Sequence, residues 1–390
     1  MPATTARVTP AAFPSDVHAT FDTPLVDRVA AAALALLPGV GPVRWRSLIT
    51  CYDGDAARAA LAHGVTQSAW TDALRDAARR LRAPDGATTV LLAGDRSYPR
   101  ALLDLPDAPP LLWARGNLAT LAVTPTAALV GTRHNSSAGA HTARRLVASL
   151  RGDNACVISG MARGIDGVVH DAALAAGLPT IAVLGTGVDV PYPAQHRALY
   201  ARIVRDGAVV SEQPPGTSAV PGAFPRRNRI IAALADCTVV VEAGERSGAL
   251  ITADVALDLG RTVAAVPGPI DAQTSTGANA LLRDGAHVLA SVDDLLPLLR
   301  PPTIRRPAGE RLERRPRAVR AATGSTAKSV PPALHGDELA LWDALVEPAA
   351  DADVAAEKAG LSARRCAAAL AGLELHGAVA TELTGAIRRL

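Results

Sequence analysis

Apolar and polar positions follow three different rhythms along this chain. Up to residue 24, Pro, Thr and Ala alternate without any period, which predicts a loose leader over 1–24. Order is expected to begin near Leu25. An apolar helix over Ala31 to Leu37 then meets the turn Pro38-Gly39-Val40-Gly41-Pro42, and a second helix runs through Trp45 and Leu48. Between 90 and 125 two short strand-like runs, Val90-Leu91-Leu92-Ala93 and Leu111-Leu112-Trp113-Ala114, stand among proline-rich loops and read as a bridge into the main domain. From Ala127 the rhythm becomes apolar runs at 127–130, 156–159, 180–184, 208–211, 238–242, 262–266 and 287–290, most of them separated by about a dozen residues of helical character. Strands that alternate with helices need crossovers and pair in parallel, so this stretch predicts an α/β, Rossmann-like doubly wound parallel sheet.

Past residue 300 the apolar rhythm stops. Residues 301–333 are rich in Pro and Arg, with Arg305, Arg306, Arg311, Arg314, Arg315, Arg317 and Arg320, and read as a basic linker that is either a solvated tether or a weak attractor of DNA. Periodicity returns with Leu341, Trp342 and Leu345, then 353–359 and 362–373, and Gly377-Ala378-Val379-Ala380 starts a short hairpin. Three helices and a hairpin predict a winged helix. The expected organisation is therefore a leader over 1–24, a small helical domain over 25–88, the sheet domain over 89–300, the linker over 301–333 and a winged helix over 334–390.

Composition narrows the function classes. The 390 residues are 49% hydrophobic, enough for a packed core, but only 3% aromatic, so each ring in a polar loop stands out. A net charge of +3 is too small to argue for a polyanion partner, and an anion site has to come from local clustering of arginine. Cys51, Cys156, Cys237 and Cys366 are far apart with no CxxC, which predicts neither zinc nor a disulfide framework. No apolar run reaches the roughly 20 residues that span a bilayer, and no signal-like segment opens the chain. A cytoplasmic protein without membrane insertion is expected.

The candidate chemistry lies in loops that follow strands, where doubly wound sheets bind ligands. After the first parallel run stand Gly131-Thr132-Arg133, with Ser136, Ser137 and Gly139 ahead of the next helix. After the second stands Ser159-Gly160-Met161-Ala162-Arg163-Gly164-Ile165-Asp166. Glycines in such loops admit close backbone approach, and each loop is a plausible phosphate cradle. A third segment, Phe224-Pro225-Arg226-Arg227-Asn228-Arg229, crowds three arginines at a helix start, where they repel one another and the positive helix end unless an anion joins them. In Glu242-Ala243-Gly244-Glu245-Arg246-Ser247-Gly248, Ser247 and Gly248 suit an anion-facing turn, and the two carboxylates are expected to pair with Arg227 or Arg229 and hold the pocket's shape.

Taken together, these segments resemble the DNA-processing protein A (DprA/Smf) family, as do Ala182-Val183-Leu184-Gly185-Thr186-Gly187-Val188-Asp189 followed by Tyr192-Pro193, and Ser211-Glu212-Gln213-Pro214-Pro215-Gly216. The match is strong over about 90–300 and looser in the flanks. Thr132, Met161 and Ala278 depart from the residues more usual there. The resemblance implies a single-stranded DNA-binding recombination mediator that protects incoming strands during natural transformation and loads the RecA recombinase. It implies a homodimer through the Rossmann-like domain and no cofactor, metal or catalytic residue. The N-terminal helices resemble a sterile-alpha-motif or helix-hairpin-helix domain, in which Gly39 and Gly41 would let amides approach a phosphate; a plain helical domain is the other reading. The C-terminal winged helix resembles the small DML1-like domain of the family, and reads as a DNA reader through Arg364, Arg365, Arg388 and Arg389 or as a protein-interaction module.

The expected DNA-binding residues come from four loops. Gly131, Thr132 and Arg133 follow one strand, and Ser159, Gly160, Arg163 and Gly164 follow the next. Phe224, Arg226, Arg227, Asn228 and Arg229 open a helix, and Ser247 opens another. By the resemblance, Arg133 and Arg163 stand at basic DNA-contacting positions. Phe224 is either a stacking ring for an unpaired base or a buried anchor for its loop. Other classes fit less of the sequence. A phosphoribohydrolase-type nucleotide-binding enzyme would use Glu242 or Glu245 as acid or nucleophile and Arg133 as phosphate holder, but its Pro-Gly-Gly-x-Gly-Thr loop is missing. A dinucleotide oxidoreductase lacks Gly-x-Gly-x-x-Gly after the first strand. A transcription regulator would rest on the winged helix alone.

Overall fold

The computed structural model describes residues 27–82, 86–220, 222–299, 336–345 and parts of 349–389. The expected leader over 1–24 and basic linker over 301–333 lie outside the described residues. The chain divides into two compact units, 1–309 and 310–390.

The first unit opens with four helices, α1 (Arg28–Leu36), α2 (Pro42–Cys51), α3 (Ala56–Ala62) and α4 (Gln67–Leu81). Local chemistry sets their ends. The Asp27 carboxylate caps α1 by accepting from Val29 N at 2.7 Å, and Pro42, which has no N–H to satisfy, begins α2. The turn between these two helices holds Gly39 at φ +77. Trp45 is buried, and its indole N–H donates to Ala31 O at 2.9 Å, locking α2 onto α1.

Next come β1 (Thr88–Leu92), β2 (Leu111–Gly116) and β3 (Thr126–Gly131), then α5 (Ser137–Ser149), β4 (Cys156–Ser159), α6 (Ile165–Ala175), β5 (Thr180–Leu184), α7 (Arg197–Asp206) and β6 (Ala208–Ser211). The unit closes with α8 (Ala223–Leu234), β7 (Cys237–Glu242), α9 (Gly248–Asp258), β8 (Thr262–Ala265), α10 (Thr276–Arg283), β9 (His287–Val288) and α11 (Leu295–Leu299). The strands form one sheet in the order β1-β2-β6-β5-β4-β3-β7-β8-β9. From β6 to β9 neighbours are parallel, whereas β1 and β2 join antiparallel through β2 and β6, with Trp113 opposite Ser211. The segment read as a bridge is thus two further strands of the sheet itself. The last expected strand shortens to two exposed residues at the sheet edge.

Side chains alternate across the sheet as a pleat requires. Ala127 and Leu129 of β3, Val157 of β4 and Val239 of β7 pack under α5 and α6. Ala128, Val130, Ile158 and Val240 join the opposite core beneath α8 and α9, which continues into the N-terminal helices. Because the chain runs from β3 outward on one side and then crosses to β7 on the other, the order reverses at β3. Ligand crevices of such sheets open at that reversal, beyond the carboxyl ends of the strands.

One buried titratable group predicts how stability responds to acid. His170 of α6 is fully buried, and its Nδ1 lies 2.8 Å from Thr180 Oγ1. That hydroxyl donates to Val157 O, so the ring donates from Nδ1 and stays neutral. Burial pushes its pKa from 6.5 down to about 3. Between these values the unfolded chain binds a proton that the folded chain refuses, so stability falls as pH drops below 6.5, by at most about 1.4 kcal/mol per pH unit from this site. His170→Leu should flatten that acid limb in urea unfolding compared at pH 7.5 and 5. Parallel losses in the two proteins would show that His170 is not its source.

In the second unit α12 (Asp337–Ala344) and α13 (Ala352–Ala359) precede helical residues between 365 and 373 and a hairpin of β10 (Val379–Thr381) and β11 (Ile387–Arg389). Leu341, Leu345, Ala355, Cys366, Leu373, Val379 and Ile387 make its core. Arg365 pairs with Asp337 at 2.5 Å, and Arg389 lies 4.5 Å over the Trp342 ring while donating to Trp342 O. The side chains of Arg364 and Arg388 lie outside the described residues.

Candidate nucleic-acid interface

Three loops meet at the carboxyl edge of the sheet, and main-chain hydrogen bonds tie them together. Thr132 N donates to Glu242 O at 2.7 Å, and Ile165 N donates to Thr132 O at 3.2 Å. Only glycine fits where the loops cross. A side chain at Gly131 would strike Ile165 Cγ1 and Glu242 O, and one at Gly164, whose φ is +80, would strike the Thr132 carbonyl. Thr132 Oγ1 accepts from His134 N, so its hydroxyl oxygen shapes the same turn.

The loop after β4 is held from beneath. Asp166 is buried at the start of α6 and accepts from Gly160 N at 3.1 Å and Ala162 N at 3.3 Å. Arg227 donates to Gly160 O at 2.7 Å and to Val183 O. His196 Nδ1 lies 3.0 Å from Met161 O, and Met161 itself has φ +54. Burial raises the pKa of Asp166 against the pull of Arg227, and it lowers that of Arg227 to about 10, which leaves the guanidinium charged at neutral pH. These bonds fix the loop that carries the exposed Arg163.

Arg133, Gly160, Ala162, Arg163, Tyr192, Pro193, Phe224 and Arg227 line one shallow pocket. Arg133 Cζ lies over the Phe224 ring at 5.7 Å from its centroid, and the Tyr192 ring lies 5.0 Å from the same ring, tilted by 36°. Arg133 and Arg163 are exposed and make no ion pair among the described residues. Arg226 is half exposed, with its Nε 3.3 Å from Glu212.

Several of the expected contacts face elsewhere. The three arginines of the Phe224–Arg229 segment were expected to face an anion together, and two of them point inward. On α8 the residues Ala223, Arg227, Ile230, Ile231 and Leu234 form one buried stripe, and Arg227 falls on it with 4% of its surface exposed. Arg229 pairs with Glu212 and Asp107, both at 2.7 Å. The expected pairing of Glu242 or Glu245 with Arg227 or Arg229 is therefore corrected, because Glu212 and Asp107 approach Arg229 first. Glu242 instead accepts from Ser136 N at 2.9 Å at the start of α5, against Gly139, so the cradle read there for phosphate holds the protein's own carboxylate. Glu245 is exposed.

Ser159 is also turned inward, donating to Leu129 O at 2.7 Å beneath the loop. Asn228 donates to Gly248 O at 3.0 Å, and Ser247 caps α9 through Ala249 N. These two residues brace the neighbouring loop. Tyr192 and Pro193 line the pocket although the chemical reading of the loops left them out. A tyrosine beside a polar glycine-rich loop, in a chain with four tyrosines and three phenylalanines, was the signal available for them.

Comparison with known proteins agrees with this architecture. A profile described as DNA recombination-mediator protein A matches residues 89–300, and one described as the DprA winged helix domain matches residues 325–389. A Mycobacterium tuberculosis protein named as a DNA processing protein DprA is 47% identical over 190 residues, 48% of this chain and 49% of that protein. The chain thus spans about half the length of that relative. The DNA processing protein DprA of Streptococcus pneumoniae is 43% identical over 202 residues, 52% of this chain and 71% of that protein. Its X-ray structure superposes with a TM-score of 0.60 at 32% identity, covering 69% of this chain and 95% of the other. With its switch-point pocket, its antiparallel strand pair and its C-terminal winged helix, the chain belongs to the DNA recombination-mediator protein A (DprA/Smf) family.

Proposed function

We propose that the chain is a recombination mediator that binds single-stranded DNA in the pocket between the loops after β3 and β4, protects incoming strands during natural transformation and loads RecA onto them. The observation that carries this reading is the pairing of two exposed arginines, Arg133 and Arg163, which make no ion pair among the described residues, with an aromatic pair in one pocket at the switch point. Guanidinium groups spaced along a groove hold a phosphodiester backbone, and rings offer a face to unpaired bases that a duplex keeps stacked. The name recombination-mediator protein A of the matched family supports the role, and RecA and a second copy of this chain are its proposed partners. No helix among the described residues is long and apolar enough to cross a membrane.

Binding of an oligo-dT ladder and of a matched duplex, followed at several salt concentrations, tests the reading. Tight single-strand binding that weakens steeply with salt is expected, with the duplex clearly weaker. Equal affinity for both would remove the pocket as the DNA site and turn attention to the winged helix.

A further inference from the structure

We infer that the outward face of α5 is a second stretch of the strand's path, where His141, Arg144 and Arg145 take phosphates that have left the pocket. The inference rests on the single-strand reading above and names where a strand longer than the pocket goes next.

The helix itself sorts its residues. Gly139, Ala140, Ala143, Leu146 and Val147 turn inward and are buried. At about 3.6 residues per turn the opposite side carries Ser137, His141, Arg144, Arg145 and Ala148, all of them exposed. Arg145 stands about 12 Å along the axis from Ser137, at about 1.5 Å per residue. No Asp or Glu occurs between Ser137 and Ser149, and neither Arg144 nor Arg145 makes an ion pair among the described residues. Two neighbouring guanidinium groups with no carboxylate between them repel, and a polyanion laid along them relieves that.

The stripe continues from the pocket. α5 starts at Ser137, just past Arg133, and α6 starts at Ile165, just past Arg163, and both helices pack into the same core on one face of the sheet. Nearby acids are taken up elsewhere. Glu242 is buried under the helix start with Ser136 N as its donor, and Asp171 of α6 pairs with Arg202 at 2.5 Å. Carboxylates enter beyond the last turn, at Asp153 and at Asp293 and Asp294, the latter two in a turn that Ser149 Oγ reaches by donating to Val292 O at 3.4 Å. The path therefore runs from Arg133 down about two turns of α5 and ends after Arg145.

An oligo-dT ladder followed by fluorescence anisotropy separates pocket from path. Arg144→Ala combined with Arg145→Ala should leave the shortest oligomer that wild type binds unaffected. A strand several times longer should bind about tenfold more weakly, with a slope of log affinity against log salt shallower by about 1.4. Lysine at both positions should keep most of the affinity, because an exposed phosphate contact needs the charge more than the fork. Arg58→Ala combined with Arg96→Ala removes equal charge from α3 and from the turn after β1, and should change neither oligomer. Equal losses in the two alanine pairs, or no loss on the long strand, would overturn the inference while binding of the short oligomer keeps the pocket. If wild type binds no single strand of any length, the functional reading itself has failed. Thermal unfolding of each variant identifies any that lost affinity by losing the fold.

Discussion

Replacing Arg133 and Arg163 together by alanine is expected to weaken single-strand binding by a hundredfold or more without disturbing the fold. Each guanidinium in contact with a phosphate contributes about 1.5–3 kcal/mol as a charge-assisted hydrogen bond, so losing two removes at least about 3 kcal/mol, or about two decades in affinity. The salt dependence should change with it. A single strand gives a slope of about 0.7 per neutralised phosphate, so the double variant should show a slope shallower by about 1.4. Both side chains are exposed and outside any ion pair among the described residues, so the melting temperature should stay close to that of wild type. Unchanged affinity in a folded double variant would place the DNA elsewhere on the molecule.

Arg227→Met should act in the opposite way, on the fold before the ligand. Its guanidinium is buried against the carbonyls of Gly160 and Val183 and offsets the charge of buried Asp166. Methionine fills much of the volume but leaves a buried carboxylate without its counter-charge, a change that costs about 3–5 kcal/mol. The loss should also depend on pH in a known direction. Burial already raises the folded pKa of Asp166 above its unfolded value, and removal of Arg227 raises it further. Above the unfolded value the folded state then holds a proton that the unfolded state has released, so stability declines as pH rises through that window. The deficit of Arg227→Met relative to wild type should therefore shrink on moving from pH 8 to pH 5 in chemical unfolding. Arg227 also holds down the pKa of His170, and its removal eases that acid penalty in the same direction, so the comparison is made in a His170→Leu background to isolate Asp166. A deficit that does not change with pH would mean that Asp166 is not what Arg227 neutralises.

The contrast between these arginines shows what the sequence contains and what it hides. The alternation of apolar runs and helical spacers was enough for the parallel strands from β3 to β8, because a strand buried on both faces is written as an uninterrupted apolar run. The antiparallel pair β1 and β2 carries the same kind of run, yet which edge it joins depends on a pairing with β6 some hundred residues away. Arg227 was legible in principle. Its spacing of four from Ala223 and of three and four to Ile230 and Ile231 puts it on the buried stripe of α8, but a motif rich in charge draws attention to charge over period. Glu242 was not legible, since a strand end and a helix start that lie more than a hundred positions apart are brought together only by the β3 and β7 pairing. Arg133 and Arg163 could be singled out because each follows a strand at a glycine-bearing turn, a local pattern that needs no tertiary knowledge, and the structure brings both to one pocket.

The carboxylate of Glu242 at the start of α5 also bears on which molecules compete for this protein inside a cell. Free nucleotides are abundant there, and the first strand-to-helix turn of a doubly wound sheet is where such folds hold a small phosphate. Here that seat is filled from within, so a mononucleotide arriving at it meets negative charge and occupied amides. The exposed cations Arg133 and Arg163 stand on separate loops that line one pocket, and on the proposed reading a polymer engages both. On that reading a mononucleotide is expected to compete poorly with a single strand, and the filled seat at α5 is the feature that would make it so.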